Sequence, residues 1–404
     1  LVNGAQKYKL YSNKCIFLQY QTLTNLQPMF EVSLPSLVVI SFGIVTFIEL
    51  LYYYLLFARF SFMRKKSDTS HYQPAVSVVM VAKDAASVLL KTLPKFLNQQ
   101  YGEFEVVVVN DHSQDDTRLL LVEYQQQYSN LKIVELDTSV TTIRGKKFAL
   151  SMGIRCASHS CILITSPECA PTSTHWIEKM AAKFENDKQI VLGYSTFERR
   201  KNPFNRMLHF DCLVNAIQYF SLARINSTYR GNAWNMGFTE QMFVQQRGFA
   251  SHNHIRYGEE DIFVSRGAKR NNTAIEFSRE AITVLQRNAR HDYWLDHKQG
   301  LYYTRKFNTF KNRFLLNFYA VVNLLFYVGL VLAILLSIGN VVLLSTTLGI
   351  VALRILSQYL VFGYAAAKLN EKQVIPAILL YDILFAILNP LYYIDALIRH
   401  DRFL

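Results

Sequence analysis

At 404 residues, 51% of them apolar, the chain has room for a large domain and carries more apolar surface than a purely water-soluble protein needs. Its net charge of +13 is strongly basic, but no zinc-finger, homeodomain or aromatic RNA-platform pattern appears; the cations cluster beside apolar runs, which favours an anionic lipid surface and an anionic ligand over nucleic acid. The five cysteines (Cys15, Cys156, Cys161, Cys169, Cys212) form no CxxC pair and no Cys/His spacing suited to zinc, and fit a reduced cytoplasmic domain.

Residues 1–35 read as a tail or upstream extension without a role in the fold. The run 36–57 has Glu49 as its one charge and is long enough to span a bilayer. No small-residue cleavage site follows, so a membrane anchor over 36–60 is the better reading than a removed signal. Arg59, Arg64, Lys65 and Lys66 follow it at once, which places the next segment in the cytoplasm. Arg305, Lys306, Lys311 and Arg313 precede the second apolar run and agree.

A polar linker, 67–73, opens a domain over 68–312. Strands are expected at 76–81, 106–109, 132–136 and 161–165, separated by helices ending near Leu97, over 117–128 and up to Ala157. This alternation predicts an α/β fold with a parallel, doubly wound sheet. Beyond Phe184 the pattern is irregular, with one further strand expected over 191–198. The region 314–398 is apolar again. Two spans are expected, 314–339 and 341–367, the second carrying only Arg354. The last segment, 374–398, carries Asp382, Asp395 and Asn389-Pro390; it reads as a third span or a re-entrant hairpin, and the hairpin is preferred because Arg399 and Arg402 would otherwise fall outside.

The valines at 106–109 break directly into Asn110, Asp111, Ser113, Asp115 and Asp116. Ligands of open α/β sheets bind beyond the carboxyl ends of the strands, so these carboxylates sit at a binding edge; helix capping is the competing explanation for Ser113 and Asp115. Lys83-Asp84 and Glu168 also follow strands, and Arg144, Lys146, Lys147 and the run Glu259-Glu260-Asp261 complete five polar clusters. Lysines and carboxylates together suit a diphosphate ligand with a bridging divalent metal. There is no GxxxxGK[ST] loop and no GxGxxG.

Four segments, Val76-Ser-Val-Val-Met-Val-Ala-Lys-Asp84, Val108-Val-Asn-Asp-His-Ser-Gln-Asp-Asp-Thr117, Gly145-Lys-Lys-Phe-Ala-Leu150 and Gly258-Glu-Glu-Asp-Ile-Phe263, come in the order found in family 2 glycosyltransferases. Over about 70–312 the chain resembles a membrane-anchored bacterial member of that family. The resemblance implies the GT-A fold, a Rossmann-like domain for nucleotide-diphospho-sugars, here flanked by transmembrane helices.

It further implies roles for individual positions. Lys83 and Asp84 would lie beside the nucleotide, Asp111 would contact the nucleoside, and Lys146 or Lys147 would approach the diphosphate. Asp261 matches the general base, with Glu260 as the fallback; an acidic helix N-terminus is the lesser competing reading of the same run and is compatible with it. Where relatives carry Asp-x-Asp this chain has Ser166-Pro-Glu168, which leaves Glu168 as the metal ligand for Mg²⁺ or Mn²⁺. Asn232 and Trp234 fall in a stretch near the acceptor site, Trp234 able to stack on a sugar or simply to be buried. Lys298 lies where relatives carry an interface element, and would reach the diphosphate or sit on an amphipathic helix at headgroup depth. His209, His252 and His254 read as ordinary surface or loop residues.

The implied activity is inverting transfer of a hexose from a nucleotide-sugar, most simply a UDP-sugar, to a lipid-linked or envelope-glycan acceptor, at the cytoplasmic face of a bacterial inner membrane. The expected partners are the nucleotide-sugar, that acceptor and membrane lipid. Ser166 in place of Asp motivates the alternative, a GT-A scaffold that binds nucleotide-sugar or partner enzymes without turnover. A transporter is disfavoured by the few spans and sparse intramembrane charges.

Overall fold

Val106, Val107, Val108 and Val109 are all shielded completely from solvent in the computed structural model of the chain. Val107 enters one apolar cluster with Val79, Ile162 and Ile164, while Val106 and Val108 enter another with Val76, Val78 and Leu163. Both faces of the strand are therefore covered, the condition under which an unbroken apolar run is stable in a sheet. The structure describes residues 33–64, 72–136, 145–286 and 291–398. The expected tail, Lys65, Lys66, most of the linker, Arg144, Arg399 and Arg402 lie outside them.

The α/β part follows the order β1 (Val76–Ala82), α2 (Ala86–Leu97), β2 (Phe104–Asn110), α3 (Thr117–Gln127), β3 (Leu131–Glu135), α4 (Lys146–Cys156) and β4 (Cys161–Ile164), after the helix α1 (Leu34–Ser61). Then come β5 (Cys169–Pro171), α5 (Trp176–Ala181), β6 (Ile190–Leu192), β7 (Ser195–Phe197), α6 (Pro203–Arg224), β8 (Met236–Thr239), α7 (Glu240–Gln245), α8 (Ile262–Gly267), β9 (Thr273–Ile275), β10 (Thr283–Leu285) and α9 (His291–Thr304). A seven-stranded sheet runs β3-β2-β1-β4-β8-β6-β9, and a three-stranded one β5-β10-β7.

The wholly parallel sheet expected from the alternation is interrupted by one strand: β8 is antiparallel to both of its neighbours, β4 and β6, while β3 to β4 and the pair β6 and β9 run parallel. The single strand expected over 191–198 is two strands in two sheets. Gly193 marks the break: its N–H donates to Asn235 O at 3.0 Å, and a Cβ there would meet Asn235 Cγ at 2.6 Å. Only glycine lets the chain cross so close to the next segment. At Gly153 a Cβ would lie 2.6 Å from Val109 and 2.7 Å from Val79, so α4 packs tightly on the sheet and its first residue, Lys146, is carried to the strand ends.

Among the described residues four helices are long and apolar enough to cross a membrane: α1, α10 (Phe310–Ser337), α11 (Val341–Lys368) and α12 (Lys372–Ile398). The re-entrant hairpin preferred for the last segment is not formed. The helix continues through Asn389-Pro390, because a proline needs only the loss of one backbone bond and a bend, not a reversal.

The chain divides into two compact units. In the smaller, residues 33–47 and Leu325–Ala352, the rings of Phe42 and Phe326 meet with centroids 5.3 Å apart beside Val39 and Ala333. The larger holds Ile48–Leu324 and residues 353–398. Within it the sparse charges of the apolar helices converge: Arg354 Nη2 reaches Glu49 Oε1 at 2.8 Å and Asp382 Oδ2 at 2.6 Å, while Nη1 donates to Gln358 Oε1 at 2.6 Å. All four side chains are buried.

Candidate active site

A cleft of about 1230 Å³ opens beyond the carboxyl ends of β1, β2 and β4. Lys83, Asp84, Asp111, Lys146, Lys147, Glu168, Trp234 and Glu260 line it. The parallel register of β1, β2 and β4 sets their ends side by side, which is why residues far apart in sequence share one edge.

The loops after β1 and β2 are laced together. Asp84 N donates to Ser113 Oγ at 3.0 Å, Gln114 N to Asp84 Oδ1 at 2.7 Å, and Ala86 N to Asp115 Oδ2 at 3.0 Å. Asp84 and His112 take positive φ to make the fit, at 47° and 56°. Most of the acidic loop thus braces the rim of the cleft. Asp111 faces into it, with Oδ1 2.8 Å from His112 Nδ1.

The two lysines of α4 part company. Lys146 Nζ lies 2.5 Å from Glu259 Oε1, and its side chain stays 56% exposed in the cleft. Lys147 is buried, and its ammonium donates to the carbonyls of His252 (2.9 Å), Ile255 and Tyr257 (2.6 Å). Burial pulls its pKa down to about 8. With three protons and three carbonyls, Lys147 pins the 252–257 loop and is satisfied without a phosphate.

Glu168 is a single carboxylate beside the Ser166 hydroxyl, with its N–H 3.4 Å from Ser166 Oγ. Among the described residues no group of three His, Cys, Asp or Glu could hold a metal. One carboxylate at a diphosphate cleft still fits Mg²⁺ or Mn²⁺, which take most of their ligands from phosphate and water in such sites.

Of the acidic run, Glu259 and Glu260 line the cleft, whereas Asp261 lines a second cavity of about 230 Å³ on the other side. Asp261 is the N-cap of α8: Oδ1 accepts from Ile262 N at 2.7 Å, and Oδ2 accepts from the Thr304 hydroxyl. The cap and the Thr304 hydroxyl together hold the carboxylate in place at the edge of that cavity. Burial, with the Glu260 charge adding to it, pushes the Asp261 pKa up to about 6 against the pull of Thr304 and Arg230. Glu260 Oε2 accepts from Ala233 N at 2.7 Å, and its Oε1 faces Arg230 Nη2 at 3.4 Å and His297 Nε2 at 3.7 Å.

Trp234 does reach the cleft, where it stacks on His297 with ring centroids 5.2 Å apart at 21°. Asn232 is not among the lining residues; its Oδ1 accepts from Trp234 N at 3.1 Å and braces the turn. Lys298 is not at the cleft either. Its ammonium pairs with Asp211 and lies 4.4 Å from the Phe385 ring centroid, at the second cavity. On α9, positions 297 and 298 are about 100° apart around the helix, so it presents His297 to the cleft and turns Lys298 toward the second cavity.

His297 and Arg230 were not singled out by sequence. The only signal for either was its neighbour: Arg230 two residues before Asn232, His297 beside Lys298. Burial lowers the His297 pKa, leaving a neutral imidazole at neutral pH. Two histidines read as surface residues are buried: His252, and His209, whose Nδ1 is 2.9 Å from Glu371 Oε2. His254 is exposed at the cleft.

Residues 77–246 match the family described as Glycosyl transferase family 2. The chain is 32% identical over 90 residues to the beta-monoglucosyldiacylglycerol synthase of Trichormus variabilis, covering 20% of this chain and 19% of that one. It is 29% identical over 155 residues to glycosyltransferase AglE of Haloferax volcanii, covering 38% and 49%. The matched stretch thus spans between a fifth and a half of these relatives. The mannosyltransferase PcManGT of Pyrobaculum calidifontis, solved in complex with GDP-Man and Mn²⁺, superposes over 87% of this chain and 99% of its own with a TM-score of 0.55 at 14% identity, so the two share the fold. The α/β domain has the GT-A fold, and residues 77–246 within it carry the match to the family 2 glycosyltransferases.

Proposed function

We propose that the chain is an inverting glycosyltransferase that moves a hexose from a nucleotide-diphospho-sugar, a UDP-sugar in the simplest case, to a lipid-linked or envelope-glycan acceptor. The observation that carries this reading is the acidic run itself, which forms a wall: Glu259 and Glu260 face the donor-sized cleft, and Asp261 faces a cavity bounded by apolar helices. The donor and acceptor sites of this reading thus flank one acidic run, and an inverting displacement brings the acceptor hydroxyl to the anomeric carbon beside Asp261. The GDP-Man complex of the structural neighbour supports a nucleotide-sugar in the cleft.

Asp261 is the base. Its carboxylate takes the proton of the acceptor hydroxyl as that oxygen forms a bond to the anomeric carbon; the bond from that carbon to the diphosphate oxygen breaks, and the nucleoside diphosphate leaves with the electron pair. A pKa of about 6 leaves Asp261 ionised at neutral pH yet basic enough to accept a proton during transfer. Lys146 neutralises charge on the departing diphosphate, and Asp111 meets the nucleoside. Glu168 would hold a Mg²⁺ or Mn²⁺ ion, whose positive charge stabilises the leaving group. Arg59 in the last turn of α1 and Arg64 just after it, with Arg305 and Lys306 before α10 and Lys311 and Arg313 in its first turn, favour a cytoplasmic domain on a bacterial inner membrane.

The test is release or transfer of sugar from a panel of UDP- and GDP-sugars by the purified chain in detergent with Mn²⁺, beside Asp261→Asn. A loss of about 10²–10⁴-fold is expected in the variant, the range for removing a general base. Background release from both proteins would leave the scaffold reading in place of the enzyme.

A further inference from the structure

The cavity of about 230 Å³ that Asp261 lines is closed on its far side by Ala320 and Leu324 of α10 and by Phe385 and Ala386 of α12. Both helices are long and apolar enough to cross a bilayer, and Val321, also at the cavity, is 52% exposed on α10. An exposed apolar residue of a candidate span thus stands at the edge of the cavity. Its interior is not purely apolar. Asn308 is only 9% exposed, and its Oδ1 has no hydrogen-bond partner among the described residues; the same is true of the partly buried Asn389 Oδ1 on α12. Both amides line the cavity.

A buried carbonyl without a donor is costly, so these two oxygens suit a ligand that brings hydroxyl protons. The cations at the cavity are already engaged. Lys298 is paired with Asp211, Arg230 with Glu260, and Arg305 donates to Asn317 Oδ1 at 3.1 Å while lying over Tyr302. Among the described residues the carboxylates Asp211, Asp261 and Asp382 line the cavity beside Lys298, Arg230 and Arg305, and two of those three cations already hold a carboxylate, so the lining favours an uncharged headgroup over a phosphate.

We infer that this cavity seats the headgroup of an amphipathic acceptor, an uncharged polyol or sugar carried on hydrocarbon chains, which enters sideways from the bilayer between α10 and α12. One hydroxyl meets Asp261, and its neighbours donate to Asn308 and Asn389. The inference rests on the transfer reading above and adds to it the acceptor's chemical class and route.

The experiment uses the full chain in phosphatidylcholine nanodiscs and a monoacylglycerol carrying a photoreactive diazirine in its acyl chain. Adducts are expected on the cavity wall, at 320–324 and 385–393, competed by unlabelled monoacylglycerol and at least tenfold less by free glycerol or by a polyprenyl phosphate. Asn308→Leu and Ala386→Phe are each expected to lower the adduct yield at least tenfold. Thermal shift with UDP-glucose and GDP-mannose runs in parallel and reports that both variants are folded. Labelling confined to the outer faces of the helices, labelling unchanged in both variants, or best competition by the polyprenyl phosphate overturns the proposal. Wall adducts without any donor-induced shift leave the cavity standing and remove the transfer reading; a donor shift without wall adducts does the reverse.

Discussion

Lys146 Nζ lies 2.5 Å from Glu259 Oε1, so the cation of the donor cleft is held by the first carboxylate of the acidic run. The pair is lopsided: the Glu259 side chain is 5% exposed and the Lys146 side chain 56%. Burial works against the lysine's charge, but the Glu259 carboxylate outweighs it and holds the ammonium above its ordinary range. On the transfer reading proposed above, Glu259 is the fixed partner and Lys146 the arm that reaches a diphosphate.

Lys146→Met is expected to weaken UDP- or GDP-sugar binding at least tenfold by calorimetry. It also strands a buried carboxylate, at a cost of about 1–2 kcal/mol. Adding Glu259→Gln is expected to restore the melting temperature and leave the donor affinity low, which separates the electrostatic role at the cleft from the structural one.

Transfer is expected to rise with pH through a midpoint of about 6, where Asp261 ionises. The Thr304 hydroxyl favours the charged carboxylate, so Thr304→Val is expected to move that limb to higher pH. The same residue gives a stability signature. Its folded pKa lies above the ordinary 3.8, so the folded chain holds a proton that the unfolded chain has released between about 4 and 6. Stability from this group is present at low pH and falls as pH climbs through that window. Asp261→Asn removes the loss, so its melting temperature relative to the native protein is expected to increase from pH 4 to 6 and then level off.

Lys298→Met is expected to leave donor affinity unchanged within twofold while lowering stability by about 1–3 kcal/mol, because it takes the cation from the mostly buried Asp211, which keeps its hydrogen bonds from Trp294 and Asn215. Asp211→Leu in the same chain is expected to recover much of that loss. A tenfold fall in donor affinity would instead restore Lys298 to the diphosphate.

Glu168→Gln is expected to abolish any Mn²⁺ enhancement of donor binding, and Ser166→Asp to strengthen it at least tenfold, since the added carboxylate supplies the ligand that this chain lacks. Titration of Mn²⁺ against donor affinity reads both. Equal Mn²⁺ dependence in all three proteins would remove Glu168 from the metal site.

The parallel half of the sheet was legible in the sequence because each strand there is an unbroken apolar run followed by a polar loop. The second half was not: β6, β7, β9 and β10 are three-residue strands, too short for a period, and their pairing is set by contacts such as Gly193 with Asn235. The same divide runs through the site. Lys83, Asp111, Lys146 and Glu168 follow strands or open a helix on the sheet edge, so topology alone places them at the cleft. His297 and Lys298 are adjacent on one helix, and which of them meets the cleft depends on how that helix docks, which no local pattern encodes. Arg354, Glu49 and Asp382 each stood out as a charge in an apolar run; their convergence was invisible because 305 residues separate the first two.

That convergence bears on how the protein is made. A guanidinium facing lipid is expensive, and so is a carboxylate, whereas together in the buried cluster each offsets the other. Synthesis delivers Glu49 first, and the cation that answers it arrives only with α11, after the whole α/β domain has emerged. The buried cluster can therefore close only after the last two apolar helices are in place, which makes Arg354 and Asp382 the residues that complete the surroundings of Glu49.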